Sequence, residues 1–162
     1  MLVCGIDPGT EPRLALVDSK LGWLDVADRD LTSARISDTK RRPVGELICE
    51  VLRGWIALHD LREVAIEKVS TMPDQGIASN AELVGSMHLC IGISIGLGLR
   101  VTELTPPVWK RKMKLLTLDK DASRLLALRR YPNRADWLKR ALDHNRADAA
   151  LIGQTWLDMQ HD

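Results

Sequence analysis

In 3-VCGIDPGTEPRLALVD-18 an apolar run ends on a lone carboxylate, Asp7, breaks at Pro8-Gly9 and resumes as 14-LALV-17. Two runs of strand length around the turn Asp7-Pro8-Gly9-Thr10 read as an antiparallel pair. A carboxylate at the end of a buried strand costs free energy unless something binds it. Asp7 is therefore either the cap of its own turn or part of a site.

A third strand over 23–28 extends the pair into a meander. Next, 44-VGELICEVLRGWIALH-59 places Val44, Leu47, Ile48, Val51, Leu52 and Trp55 at helical spacing. The short β-branched run 63-EVAIEKV-69 reads as a buried strand. The loop 72-MPDQG-76 leads to a long helix over 78–97, and 100-RVTEL-104 to a further strand. The tail reads as a brief helix after Pro107, one over 122–130 and one over 135–159. The order β-β-β-α-β-α-β-α-α predicts an α/β fold, a mixed sheet of three antiparallel plus two parallel strands flanked by helices. The 162 residues suit one domain, 1–162.

At 45% apolar and 28% charged, the chain has the balance of a soluble globular protein. Met1-Leu2-Val3 enters a strand without the basic and apolar stretches of a secretory leader. The longest apolar run, 89-LCIGISIGLGL-99, is too short for a bilayer and rich in Gly, so no membrane partner is expected. Cys4, Cys49 and Cys90 are odd in number and make no CxxC, which favours buried thiols in a reducing compartment over zinc.

The net charge of +1 conceals an asymmetry. Residues 105–146 carry twelve basic and four acidic side chains, and the remainder eleven basic and eighteen acidic. Such a segment is either a solvated helical face or the contact surface for a polyanion. On the long helix, Ala81, Gly85, Gly92 and Gly96 fall on or near one face. They permit a close approach, to the sheet or to a second copy of the chain.

Two further carboxylates stand where a core would not choose them. Glu67 lies within VAIEKV. Asp148 borders a stripe of Leu138, Leu142, Ala149, Ile152, Trp156 and Met159 on the last helix. His144 precedes Asp148 by four residues and Asn145 by three, so both share its side. Glu67 has a basic partner as its plain alternative, and Asp148 an exposed helix position. Converging carboxylates beside imidazole or amide groups suit hard divalent cations. Two such ions activate a water and stabilise the leaving oxygen of a phosphodiester.

The motifs GIDPGT, VAIEKV, 79-SNAELVGSMHLCIGI-93 and 143-DHNRADAALIG-153, in that order, resemble the RuvC family of Holliday-junction resolvases within the RNase H-like superfamily. The likeness is greatest to compact phage and prophage members and covers nearly the whole chain. It implies a structure-selective endonuclease of bacterial cytoplasm, phage- or prophage-encoded, that cuts four-way DNA junctions and leaves a 5′-phosphate. It implies Asp7, Glu67 and Asp148 as ligands of two Mg²⁺ ions, with Mn²⁺ as a substitute, and a two-fold homodimer. His144 is the favoured fourth ligand, with Asn145 and Asp143 as alternatives. The basic segment of the family resembles 106-PPVWKRKMKL-115 and 120-KDASRLL-126, which makes Lys110 the cation at the scissile phosphate. Lys110, Arg111, Lys112, Lys114, Lys120, Arg129, Arg130 and Arg134 are the candidate DNA contacts.

DPGT alone also opens actin-like ATPases, but those need two such halves and a longer chain. The other readings are a general branched-DNA or RNA–DNA hybrid nuclease and an inactive junction-binding protein. No Phe is present, so the aromatic that some members stack near the second motif is replaced by Met72 in 70-STMPDQ-75, or by nothing.

Overall fold

The computed structural model describes residues 1–9, 11–27, 35–37, 40–41, 43–71, 76–119 and 121–161. Strands β1 (Leu2–Asp7), β2 (Arg13–Asp18) and β3 (Gly22–Ala27) form the meander. A two-stranded ribbon follows, β4 (Arg35–Ser37) with β5 (Lys40–Arg41), which the sequence pattern did not disclose. Then come α1 (Val44–His59), β6 (Glu63–Glu67), α2 (Ile77–Gly96) and β7 (Arg100–Leu104). The chain ends with α3 (Pro106–Lys112), α4 (Asp121–Arg130), two 3₁₀ segments (Pro132–Leu138 and Ala141–Asp143) and α5 (His144–Met159).

The main sheet has the order β3-β2-β1-β6-β7. β1–β2 and β2–β3 pair antiparallel; β1–β6 and β6–β7 pair parallel. This is the expected mixed sheet. Period-two alternation sends Cys4, Ile6, Leu14 and Leu16 to one core, covered by α1 and α2 through Ile48, Leu52, Trp55 and Cys90. Val3, Ala15, Val17 and Ala65 face the other core, built with α3, α4 and α5 around Trp109, Ala127, Leu151 and Trp156. All three cysteines are free thiols, Cys4 and Cys90 buried and Cys49 half-buried. Among the described residues no helix is long and apolar enough to cross a membrane.

α5 lies close against the sheet. A Cβ at Gly5 would overlap the Ala149 carbonyl oxygen and stand 2.6 Å from Gly153 N. A Cβ at Gly153 would stand 3.3 Å from Gly5 N. Backbone meets backbone here, so neither side can yield.

The last helix is shorter than the expected 135–159. The Asp143 carboxylate folds back to accept the Arg140 backbone N–H at 2.8 Å and pairs with the Arg140 and Arg146 guanidinium groups. This closes the 3₁₀ turn and starts α5 at His144. Leu142 falls outside the helix and is 76% exposed, so it does not belong to the apolar stripe. The small residues of α2 also differ from the sheet-packing alternative. A Cβ at Gly85, Gly92 or Gly96 meets nothing within 4 Å, so these glycines face outward, while Met87, Cys90 and Ser94 face the core.

Gly5→Ala should lower stability by at least about 2 kcal/mol, because overpacking against backbone forces α5 away from β1. Gly54→Ala, in α1 with no atom within 4 Å of the added methyl, should raise it by about 0.5–1 kcal/mol. Urea unfolding midpoints of the two variants check the pair.

Candidate active site

Asp7 and Glu67 end neighbouring parallel strands. Ile6 pairs with Ile66, so the two carboxylates stand side by side at the carboxyl edge of the sheet. Both project to the face covered by α5, since Gly5 and Ala65, two residues before each, also lie on that face. α5 brings Asp148 to the same place, with His144 and Asn145 from its first turn. Together with Lys110, Trp109, Asp119 and Ser123 they line a cleft of about 290 Å³.

Asp7, Glu67, Asp148, His144 and Lys110, the candidates singled out in the sequence, all line one cleft. Asp143 does not join them. Its carboxylate is buried and held by Arg140 and Arg146, which keep it below the usual carboxylate range although burial opposes them. Of the three residues named for a fourth position, His144 and Asn145 line the cleft. His144 Nδ1 lies 2.9 Å from the Ala141 carbonyl, which can only accept. Nδ1 thus carries a proton, which leaves Nε2 as the ring nitrogen that could serve as a donor to a metal ion.

The three carboxylates are poorly compensated. Burial, then the charges of Asp148 and Glu67, push Asp7 up to about 7, against the Gly9 N–H and Arg13. The Gly9 N–H donates to Asp7 Oδ1 at 3.3 Å, so the turn-cap role is real but long and weak. Burial, aided by Glu67, pushes Asp148 up to about 6, against the Ser123 hydroxyl and the pull of Lys110 and His144. Glu67 is raised by burial too, against the Trp109 indole and Lys110. Oδ1 of Asp148 is buried with no hydrogen-bond partner.

Three oxygen donors of unrelieved charge, one with an unpaired buried atom, fit a hard divalent cation in chemistry. Among the described residues no three His, Cys, Asp or Glu side chains stand close enough to hold a metal ion as placed.

Two positioning groups escaped the sequence reading. Trp109 Nε1 donates to Glu67 Oε1 at 2.9 Å, and the Lys110 ammonium lies 5.3 Å from the Trp109 ring centroid. Trp109 stood in the PPVWKRKMKL stretch beside the lysine, where its sequence context assigned it no role. Ser123, on α4, carried no signal; only the packing of α4 against α5 brings its hydroxyl to Asp148.

The basic segment divides into two groups. Arg134, named above as a candidate DNA contact, is a structural tie within the fold. Its Nε donates to the Trp23 carbonyl at 2.8 Å and its Nη2 to the Leu24 carbonyl at 3.0 Å, and its guanidinium lies 4.4 Å from the Trp137 ring centroid. Arg124, Arg140 and Arg146 likewise bind Asp121 or Asp143, and Arg130 pairs with Asp158. Arg111, Lys112, Lys114 and Arg129 are exposed, and Lys110 is half-buried in the cleft. Lys120 and Met72 lie outside the described residues.

No protein-family model matches this sequence, and no curated protein does either. Solved structures do match. Thermus thermophilus RuvC in complex with a Holliday junction substrate aligns with a TM-score of 0.71 at 17% identity, over 99% of this chain and 95% of that one. Yeast mitochondrial Holliday junction resolvase Ydc2 gives 0.61 at 13% identity, over 98% and 78%. The fowlpox virus Holliday junction resolvase gives 0.58 at 13% identity, over 99% of each. At these identities the likeness establishes the fold: the chain has the RNase H-like α/β architecture of these proteins.

Two predictions test the electrostatics and the tie. Unfolded, Asp7 ionises near 3.8; folded, it holds its proton to about 7. The folded chain binds the extra proton in that window, so stability falls as pH rises through it. Asp7→Asn should raise the thermal midpoint at pH 8, by roughly 2–4 °C per kcal/mol of relieved repulsion, and not at pH 3.5. Arg134→Ala should lower the midpoint while leaving affinity for DNA unchanged, as calorimetry and a filter-binding titration would show.

Proposed function

We propose that this chain is a divalent-metal-dependent endonuclease acting on branched DNA, with the four-way junction as its substrate. The observation that carries the reading is the convergence of Asp7, Glu67 and Asp148, with the unpaired Asp148 Oδ1, in one cleft beside Lys110. The fold is shared with proteins named as Holliday junction resolvases, one of them in complex with junction DNA.

Asp7, Glu67 and Asp148 would hold the ions, with His144 Nε2 as the fourth donor. Closing a ligand shell would take side-chain rotation, since every donor already lines the same cleft. A bound pair of Mg²⁺ or Mn²⁺ ions supplies Lewis acidity for hydrolysis of the phosphodiester. The protein groups orient and balance. Trp109 holds Glu67, and Ser123 holds one side of Asp148. Lys110 offsets charge on the scissile phosphate. Arg111, Lys112, Lys114 and Arg129 bind flanking phosphates in a contact that is salt-sensitive and blind to sequence.

Cutting two strands of a junction symmetrically requires two sites, so the working unit is a two-fold homodimer. The outward stripe of Ala81, Gly85, Gly92 and Ile95 on α2 supports this reading, since it offers a second helix a close and largely apolar seat.

The test is a labelled four-way junction incubated with the protein, with and without Mg²⁺, beside flap and RNA–DNA hybrid substrates. Wild type should cut the junction in Mg²⁺ only and in preference to the others. Asp7→Asn should bind the junction and leave it intact, and cleavage by this variant would sink the metal assignment. Lys110→Ala should slow cleavage about 100-fold, with a much smaller loss of binding. Equal losses in both would make Lys110 a plain phosphate contact.

A further inference from the structure

A second cleft, of about 590 Å³, lies between the end of α3 and α4. Its floor is apolar: Met113, Leu115, Leu118, Leu125 and Leu126. Leu118 is 58% exposed and Leu125 47% exposed, which is costly for leucines with nothing against them. The rim carries Lys114, Arg129 and Arg130, and among the described residues no acid lines the cleft. Leu115 and Leu118 also line the candidate active cleft, so the two are continuous.

Lys114 supplies a separate observation. It follows α3 with φ 60°, the left-handed region where helix ends favour Gly. The turn closes around it, with Lys114 N–H donating to the Arg111 carbonyl at 3.0 Å and Leu115 N–H to the Lys110 carbonyl at 2.7 Å. A lysine here is held against backbone preference, and its ammonium makes no ion pair among the described residues. A side chain kept at such a position points to use rather than to folding.

An apolar floor, a cationic rim and continuity with the cleft proposed to cut phosphodiesters fit one occupant. A displaced nucleotide has an apolar base face and anionic phosphates on either side. We infer that the α3–α4 cleft receives a nucleobase unpaired beside the scissile phosphate, with Lys114 and Arg129 on its flanking phosphates. The inference rests on the proposed nuclease reading and gives that site a subsite for single-stranded nucleic acid. It also supplies a seat for a displaced base without any Phe.

The test uses the full-length Asp7→Asn chain, a four-way junction, and the same junction with single abasic positions placed in turn around the exchange point. One abasic position should weaken binding about fivefold, the scale expected for loss of a base contact on an apolar surface. Leu118→Ala/Leu125→Ala in the same background, truncating two exposed side chains, should bind intact and abasic junctions alike. Lys114→Gly should hold or raise the thermal midpoint, because Gly accepts the left-handed turn, yet bind the junction more weakly. Several results would overturn the inference: no abasic position weakens binding, the double variant keeps the discrimination, or Lys114→Gly binds as tightly as its parent. A double variant that changes oligomeric state but not DNA affinity would reassign the cleft to a protein partner. If Asp7→Asn binds no junction at all, the nuclease reading fails and the subsite with it. If it binds and only the cleft variants are silent, the nuclease reading stands and the subsite falls.

Discussion

The close approach of β1 and α5 at Gly5 and Gly153 is the constraint on which the rest of the structure depends. Backbone atoms pack directly there, with no side chain between. Two residues on from Gly5 along the same face of the sheet is Asp7, and one residue before Ala149 is Asp148. The glycine contact therefore sets how near the two acids come. A methyl group inserted at Gly5 would part the helix from the strand and the acids from each other.

That nearness has an electrostatic cost which the fold only partly relieves. Burial raises Asp7, Glu67 and Asp148, and neighbouring carboxylates add to it for the two aspartates; against this stand a long Gly9 bond, one indole, one hydroxyl, and the charges of Lys110, Arg13 and His144. A chain selected for stability alone would replace them with apolar groups of like size. Charge gathered in a cleft at the carboxyl edge of parallel strands costs stability that packing alone does not require, which is what makes this cleft the candidate site.

The basic segment illustrates why charge counts mislead. Of its arginines, Arg124, Arg134, Arg140 and Arg146 knit the 3₁₀ segments and α4 to the sheet and to α5. The guanidinium has several donors in a fixed plane and can satisfy carbonyls left open by irregular backbone, which a lysine does less well. Lys110, Lys112 and Lys114, by contrast, gather on α3 and its exit, beside the cleft.

Much of this was legible in the sequence. Alternation and helical spacing are local, so they located the five strands of the main sheet, the two long helices that connect its later strands and the order of the motifs. Carboxylates at a strand end or on an apolar stripe stand out for the same reason: burial of charge is costly in any fold. Tertiary structure alone decided the remainder. The start of α5 depends on the reach of Asp143 back to Arg140, and the outward turn of the α2 glycines depends on which face meets the core. The service of Trp109 and Ser123 to the acids depends on helices distant in the chain. Periodicity says which residues share a face, but only packing says what that face meets.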